Sequence, residues 1–393
     1  TVTANGARVR WRGALIAAEV ALSMTLLTGS GLLIRSFVTL ARVNPGFRAD
    51  HILTAMIPAS VQVAKDKAGL QRRLTEILSA VKQLPGVSAA GIATAIPMGT
   101  VNVTLLFEMP EFPGQEVGVN FKAVSPGYLA AMGTPLLRGR LLNEMDRPGA
   151  AAAVMVNEAF VRKYWPGQDP IGKQFGHGNG MTVVGLLADT KSRGLARPAE
   201  AEVIGHYRQY LGPSIGAMLV ARTEGDPVGL TNAVRRAVQQ LYPDQPVTDV
   251  ATMEMRVADS IGEPKLYMSM LALFAGVALA LTGIGIYGVV AYSAGQRTRE
   301  FGIRMALGAQ RSNVLGLVMG RGVGLALVGV TLGVGGAWML SRYLETLLYG
   351  VSPGDPVAFS GAAALLILIS VAACYGPARR ATAIDPNVAL REE

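Results

Sequence analysis

The charged side chains best placed to do something together lie in QRTREFGIRMALGAQR, residues 296–311. Arg297, Arg304 and Arg311 are seven residues apart, so on a helix they share one face. Glu300 joins that face four residues before Arg304, the favourable order for an ion pair. Arg299 adds another cation, while Phe301, Met305, Ala306 and Ala309 turn away. Gly308 suits a left-handed helix cap. A short amphipathic helix of this kind has two uses. It lies on lipid headgroups with its arginines meeting phosphates, or it is a knob onto which a soluble partner docks. Residue physics alone leaves both open.

Two more charges are set in apolar surroundings, Glu19 and Arg321. Counted from Gly13 and Val314, both fall roughly 10 Å into the same leaflet at 1.5 Å per residue. Opposite signs at matched depth predict a pair, within one chain or across a dimer, with separate snorkelling as the alternative. Gly283, in GIGIYG, fits a dinucleotide pattern but sits inside an apolar run, where small residues serve helix packing. Gly320/Gly324 and Gly329/Gly333 repeat that four-residue spacing.

Other chemical signals fail. GQDPIGKQ, residues 167–174, approaches a phosphate-binding loop, yet Gln174 replaces the magnesium-binding hydroxyl and Pro170 interrupts it. A turn explains it better. His51, His177 and His206 have no metal-ligand spacing, and Cys374 alone makes neither a disulfide framework nor a zinc cluster. No catalytic, metal or directly bound cofactor site is expected.

The elements that position these residues are mostly apolar helices. Half of the 393 residues are hydrophobic, mean hydropathy is +0.35, and 16% are charged, against about 25% in soluble domains. A bilayer core of about 30 Å takes about 20 apolar helical residues. Residues 266–296, 322–341 and 356–378 carry no charge, and residues 13–34 carry only Glu19. The first run is too long for a signal-peptide core.

The net charge of +9 is unevenly spread. Arg8, Arg10, Arg12, Arg297, Arg299, Arg304, Arg311, Arg379, Arg380 and Arg391 flank the spans on one side, against Glu300, Asp385, Glu392 and Glu393. Residues 36–264 hold 22 basic and 20 acidic residues. By the positive-inside rule the arginine-rich side is cytoplasmic. The expected order is a cytoplasmic segment at 1–12, spans at 13–35, 265–293, 314–341 and 357–377, and a periplasmic domain at 36–264. A cytoplasmic helix at 294–313, a short periplasmic loop at 342–356 and a cytoplasmic tail at 378–393 complete it. The excess charge is juxtamembrane, which argues for membrane lipids and against nucleic acid.

The fold class expected is an α+β membrane protein, with four transmembrane helices and a mixed α/β domain between the first two. In the insert, Leu70, Leu74, Ile77, Leu78 and Val81 recur at helical spacing before Pro85-Gly86. Asp226-Pro227 opens a second helix with Val234, Ala237 and Val238 on one face, and residues 157–165 form a third. Residues 89–96, 117–124, 152–156, 181–187 and 217–221 read as strands. Two subdomains are expected, and a helix near 252–260 runs on into the second span as a stalk.

RTREFGIRMALGA resembles the signature of MacB/FtsX-type permeases of ABC transporters. ALSMTLLTGSGLLIRS is similar to the first span of that family. VSPGYLAAMGTPLLRGR and VMVNEAFVRKYWPGQDPIGKQF resemble its periplasmic core domain, and GIYGVVAYSAGQRTRE the end of its second span. VSPGDPVAF and PARRATAIDPNVALREE resemble its last loop and tail. Phe301, where Ile is common, and Tyr375-Gly376 before Pro377 are mild departures. The likeness is strongest to duplicated acidobacterial-type permeases, and a start at Thr1 suits their C-terminal half.

The resemblance implies a permease in the bacterial inner membrane, with both termini cytoplasmic. It would act as a homodimer, or as a pseudo-dimer with a second permease unit, driven by a separate ABC ATPase. ATP would act only through that partner. Residues 296–308 would be the coupling helix, with Arg297, Arg299, Glu300, Phe301, Arg304, Gly308 and Arg311 as its coupling residues. Motion would pass to the periplasmic domain for export, with a periplasmic adaptor and outer-membrane channel, or for lipoprotein handling. A regulator of a cell-wall hydrolase is the alternative. An enzyme in the insert lacks any catalytic constellation to support it.

Overall fold

A computed structural model describes residues 2–60, 66–111, 114–177, 180–210, 216–306 and 310–382. Gly308 and the tail from 383 lie outside them. The chain forms two compact units, residues 43–262 and the remainder.

The chain opens with α1 (Val2–Ala41) and then enters the insert. Its strands are β1 (Ile52–Pro58), β2 (Val87–Ala93), β3 (Thr104–Glu108), β4 (Glu116–Val124), β5 (Leu136–Gly139) and β6 (Ala153–Asn157). β7 (Gln174–Phe175), β8 (Met181–Leu187), β9 (Glu202–His206), β10 (Gly216–Thr223) and β11 (Thr248–Thr252) come after them. They join into one mixed sheet in the order β11-β1-β10-β2-β4-β9-β6-β8-β5, with β3 on β4 and β7 on β8. Its two halves meet at β2 and β4 through a single residue pair, Ala93 with Val124.

Helices cover both faces of this sheet. On one, Leu74 and Ile77 of α2 (Lys67–Lys82) join Val234 and Val238 of a later helix in one core. On the other, Tyr128, Leu129 and Met132 of α3 (Pro126–Met132) form a second core with Ile52 and Val220. The SPGY motif explains α3: Pro126 occupies its first turn and Gly133, at φ +66°, caps it. Asn157 caps α4 (Glu158–Tyr164) by accepting the amide proton of Phe160 at 3.0 Å, and Trp165 behind it is fully buried.

One buried ion pair crosses the sheet. Lys122 on β4 donates to Glu202 on β9 at 2.8 Å and to Ser192 at 2.8 Å, and Thr190 and Ser192 also bond Glu202. Removing one partner from such a pair typically costs about 3–5 kcal/mol. The near phosphate loop is a turn: Gly167 and Gly172 take positive φ, strand β7 comes next instead of a helix, and Lys173 lies 4.9 Å over the Trp165 ring. α5 (Tyr207–Tyr210), α6 (Thr231–Leu241) and α7 (Met253–Ser260) complete the unit. Ile261 ends α7, so the expected stalk does not run as one unbroken helix into the second span.

The second unit holds α1 with α8 (Gly262–Gly295), α9 (Thr298–Ala306), α10 (Arg311–Tyr343) and α11 (Pro356–Thr382). Four segments, Trp11–Ala41, Pro264–Gly295, Arg311–Tyr343 and Pro356–Arg380, are long and apolar enough to cross a membrane. Aromatic residues collect at both ends. Arg12 lies 4.4 Å over the Tyr292 ring, and Arg342 4.2 Å over Trp338. α1 and α10 run parallel along a seam of glycines. A Cβ at Gly329 would lie 2.8 Å from the Ala17 carbonyl oxygen and 2.5 Å from Val20 Cβ; at Gly333 it would lie 2.7 Å from the Ala21 carbonyl oxygen. Among the described residues nothing lies within 4 Å of a Cβ at Gly320 or Gly324, so that pair makes no close helix contact there. A Cβ at Gly283 would make an ordinary 3.5 Å contact with Ile369 on α11. Leucine at Gly329 or Gly333 is therefore expected to destabilise the detergent-solubilised chain by about 1–3 kcal/mol, typical of overpacking, read as a lower thermal midpoint. Leucine at Gly324 should leave it nearly unchanged.

Candidate functional site

α8 and α10 are joined by a connector that turns back on the bundle. The Arg297 carbonyl accepts the Phe301 amide proton at 2.9 Å, so Arg297 caps the short helix α9. Glu300, one turn on, takes Arg304 Nη2 at 2.7 Å and lies 3.9 Å from Arg297 Nε. All three are more than two-fifths exposed. Pairs of that kind are worth about 0.3–0.5 kcal/mol, so they shape the surface without holding the connector in place.

Phe301 holds it. Its ring is 2% exposed and belongs to the bundle core with Ile286, Val290, Val314 and Val318. An exposed cationic face is thus fixed to the bundle by one buried aromatic. Arg311 differs from its expected place. It opens α10, beyond residues 307–309, and so does not extend the α9 face. Arg299 lies within α9.

The intramembrane charges are not at matched depth. On the parallel seam Val20 meets Gly329 and Met24 meets Gly333, while Gly13 meets Leu325. This register sets Arg321 level with about Arg12, some seven residues or about 10 Å nearer the connector than Glu19. The two form no ion pair with each other in the chain, which removes the pairing expected within one protomer. Counting from Gly13 and Val314 fails because the two are not level: α1 runs back to Val2, eleven residues before Gly13, and α10 only three before Val314. Glu19 lies against α8 instead, where Gly285 leaves room: a Cβ there would come 2.7 Å from Glu19 Oε2. One turn further on, the Ser23 and Thr282 hydroxyls bond at 2.7 Å. Sequence reasoning missed Gly285, although it stands in GIGIYG, and also Gly322, which is pressed against Cys374 and Val290.

Comparison with known proteins covers both units. The family described as MacB-like periplasmic core domain matches residues 16–241, and that described as FtsX-like permease C-terminal matches residues 272–386. The chain belongs to the MacB/FtsX-type permeases, membrane components of ABC transporters, and is a multi-pass membrane protein. The macrolide export ATP-binding/permease protein MacB of Agrobacterium fabrum is 24% identical over 416 residues, 99% of this chain and 63% of its own. The pyoverdine export ATP-binding/permease protein PvdT of Pseudomonas putida is 27% identical over 273 residues, 66% and 41%. MacB of Neisseria meningitidis is 27% identical over 318 residues, 77% and 47%. The chain thus spans between 41% and 63% of the length of these relatives. The crystal structure of the periplasmic region of MacB from Actinobacillus actinomycetemcomitans covers 57% of this chain and 98% of its own at 13% identity, with a TM-score of 0.40.

The site separates surface from anchor, and that can be measured. Phe301→Ala should destabilise the bundle by about 3–5 kcal/mol, the usual cost of emptying a buried aromatic site, whereas Glu300→Ala should cost under about 0.5 kcal/mol. Unfolding of both variants in detergent, followed by circular dichroism, compares them directly.

Proposed function

We propose that the chain is the permease part of an ATP-driven mechanical transporter, with α9 as its coupling helix. A separate ABC ATPase would bind the Arg297/Glu300/Arg304 face and move it. Phe301 would pass that displacement to the bundle, and α8 would carry it to the inserted domain. The observation that carries this reading is the pairing of an exposed arginine face with a fully buried anchor on a helix only nine residues long. A helix resting on lipid has no need of an anchor in the bundle core.

On this reading α9 and both termini face the cytoplasm and residues 36–264 face the periplasm, in agreement with the arginine distribution. The chain would work as a homodimer or with a second permease unit, in the inner membrane. The relatives named for macrolide and pyoverdine export favour export as the task, with a periplasmic adaptor and outer-membrane channel completing the path.

Two experiments test the proposal. Arg304→Asp should leave the chain in the membrane while reducing stimulation of the co-purified ATPase at least tenfold; unchanged stimulation would favour a lipid-surface role. Cys374 is buried, so introduced cysteines report on topology alone. Ser79→Cys and Ser352→Cys should react with an impermeant maleimide from outside, and Ser312→Cys only after permeabilisation. Labelling of position 312 in intact cells would refute the orientation.

A further inference from the structure

We propose that the connector-side end of the bundle is a headgroup site for an anionic phospholipid. A cavity of about 560 Å³ opens there between α1, α8 and α10, roofed by Phe301. Its walls are largely apolar, including Ala14, Ala17, Val289, Leu325 and Val328, and its polar lining includes Ser293, Arg297 and Arg321. Gly320 and Gly324 form part of the same wall, and the open space beside them is this cavity. Small residues that bind no neighbouring helix here make room.

The depth is that of a phosphate. Arg321 and Arg342 lie 21 residues apart on one helix, about 31 Å at 1.5 Å per residue, which matches a hydrocarbon core of about 30 Å. Arg342 lies over Trp338 in the manner of an interfacial pair. Arg321 then stands at the opposite boundary, level with Arg12 and Tyr292. Among the described residues Arg321 has neither hydrogen bond nor ion pair, and Arg297 has only the long contact with Glu300. Two guanidiniums that face one cavity without a carboxylate between them attract an anion, and their planar donors suit phosphate oxygens.

The walls decide the source of that anion. A free phosphate would leave the apolar lining uncovered, whereas a lipid brings glycerol and acyl carbons to cover it. A second copy offers Glu19 as the acid of its own spans, but Glu19 is lodged against Gly285 of its own chain. The inference rests on the membrane-spanning bundle, and its test variants, at Arg321 and Gly324, lie outside the proposed ATPase face.

The test is titration of the purified full chain, in a neutral detergent, with dioleoylphosphatidylglycerol or dioleoylphosphatidylcholine, with bound lipid counted by native mass spectrometry. Phosphatidylglycerol should bind at least about fivefold more tightly, the typical effect of one interfacial cation. Arg321→Gln should reduce its binding to the phosphatidylcholine level, and Arg321→Lys should retain most of the preference. Gly324→Leu, which fills the open space, should abolish binding without loss of helical circular dichroism. Full preference for phosphatidylglycerol in either Arg321→Gln or Gly324→Leu would overturn the proposal. So would displacement by millimolar inorganic phosphate alone, which would make the ligand a free anion. Recovery of assembly by Glu19→Arg combined with Arg321→Glu would also overturn it, in favour of pairing between copies.

Discussion

The close approach of α1 and α10 at Gly329 and Gly333 sets the register on which the rest of the bundle depends. Lipid tails are as apolar as leucine, so helices in a bilayer associate through packing and hydrogen bonds instead of through hydrophobic burial. Two missing Cβ atoms bring the α10 backbone against the Ala17 and Ala21 carbonyls. Thr25 adds a hydrogen bond to the Gly333 carbonyl at 3.4 Å. That register puts Arg321 level with Arg12 at the boundary, while contacts with α8 shelter Glu19 against Gly285 and pair Ser23 with Thr282.

In the inserted unit, the most recognisable motifs turn out to be folding devices. Ser125 accepts the Ile92 amide proton at 3.0 Å, and Gly91 and Gly127 allow α3 to lie directly on β2. Asn157 caps α4 and also accepts the Glu202 amide proton at 2.9 Å, which ties a helix start to the neighbouring strand. The WPG turn seats Trp165 in the core and reverses the chain toward β7. These residues hold a sheet whose two halves share one ladder pair, a join reinforced by amide bonds from Thr94 to the Ala123 carbonyl and from Ser125 to the Ile92 carbonyl.

The sequence was legible where one physical rule dominated. Long apolar runs have no soluble alternative, so the four spanning helices and the domain after the first were readable. Strands with clear flanking turns, such as β8 and β10, were readable too. β1 was missed because it is buried on both faces and shows no alternation. β9 was missed because it begins with Glu202 and ends with His206, both wholly buried, and only the tertiary partner Lys122 makes the first of these tolerable. Within the connector, the arginine spacing was legible, but the break that leaves Arg311 on another helix was not. Depth was the least legible quantity, since a helix that continues past its apolar run shifts every count made from that run's end.

The bundle is unevenly held, and this bears on how it would transmit motion. About half of the apolar window of α1 is buried, against 17% of that of α8. α8 is nevertheless the helix that leaves the inserted unit at one end and enters the connector at the other. It meets α1 through polar or small contacts, Glu19 on Gly285 and Ser23 with Thr282, and at the connector end the cavity opens beside its contact with α10. Sliding contacts of this sort cost little to displace, whereas the glycine seam resists separation. In the proposed mechanism α1, α10 and α11 would form the frame and α8 the moving rod, with Phe301 as the joint between rod and connector. A lipid headgroup seated between rod and frame would then set how freely the rod moves.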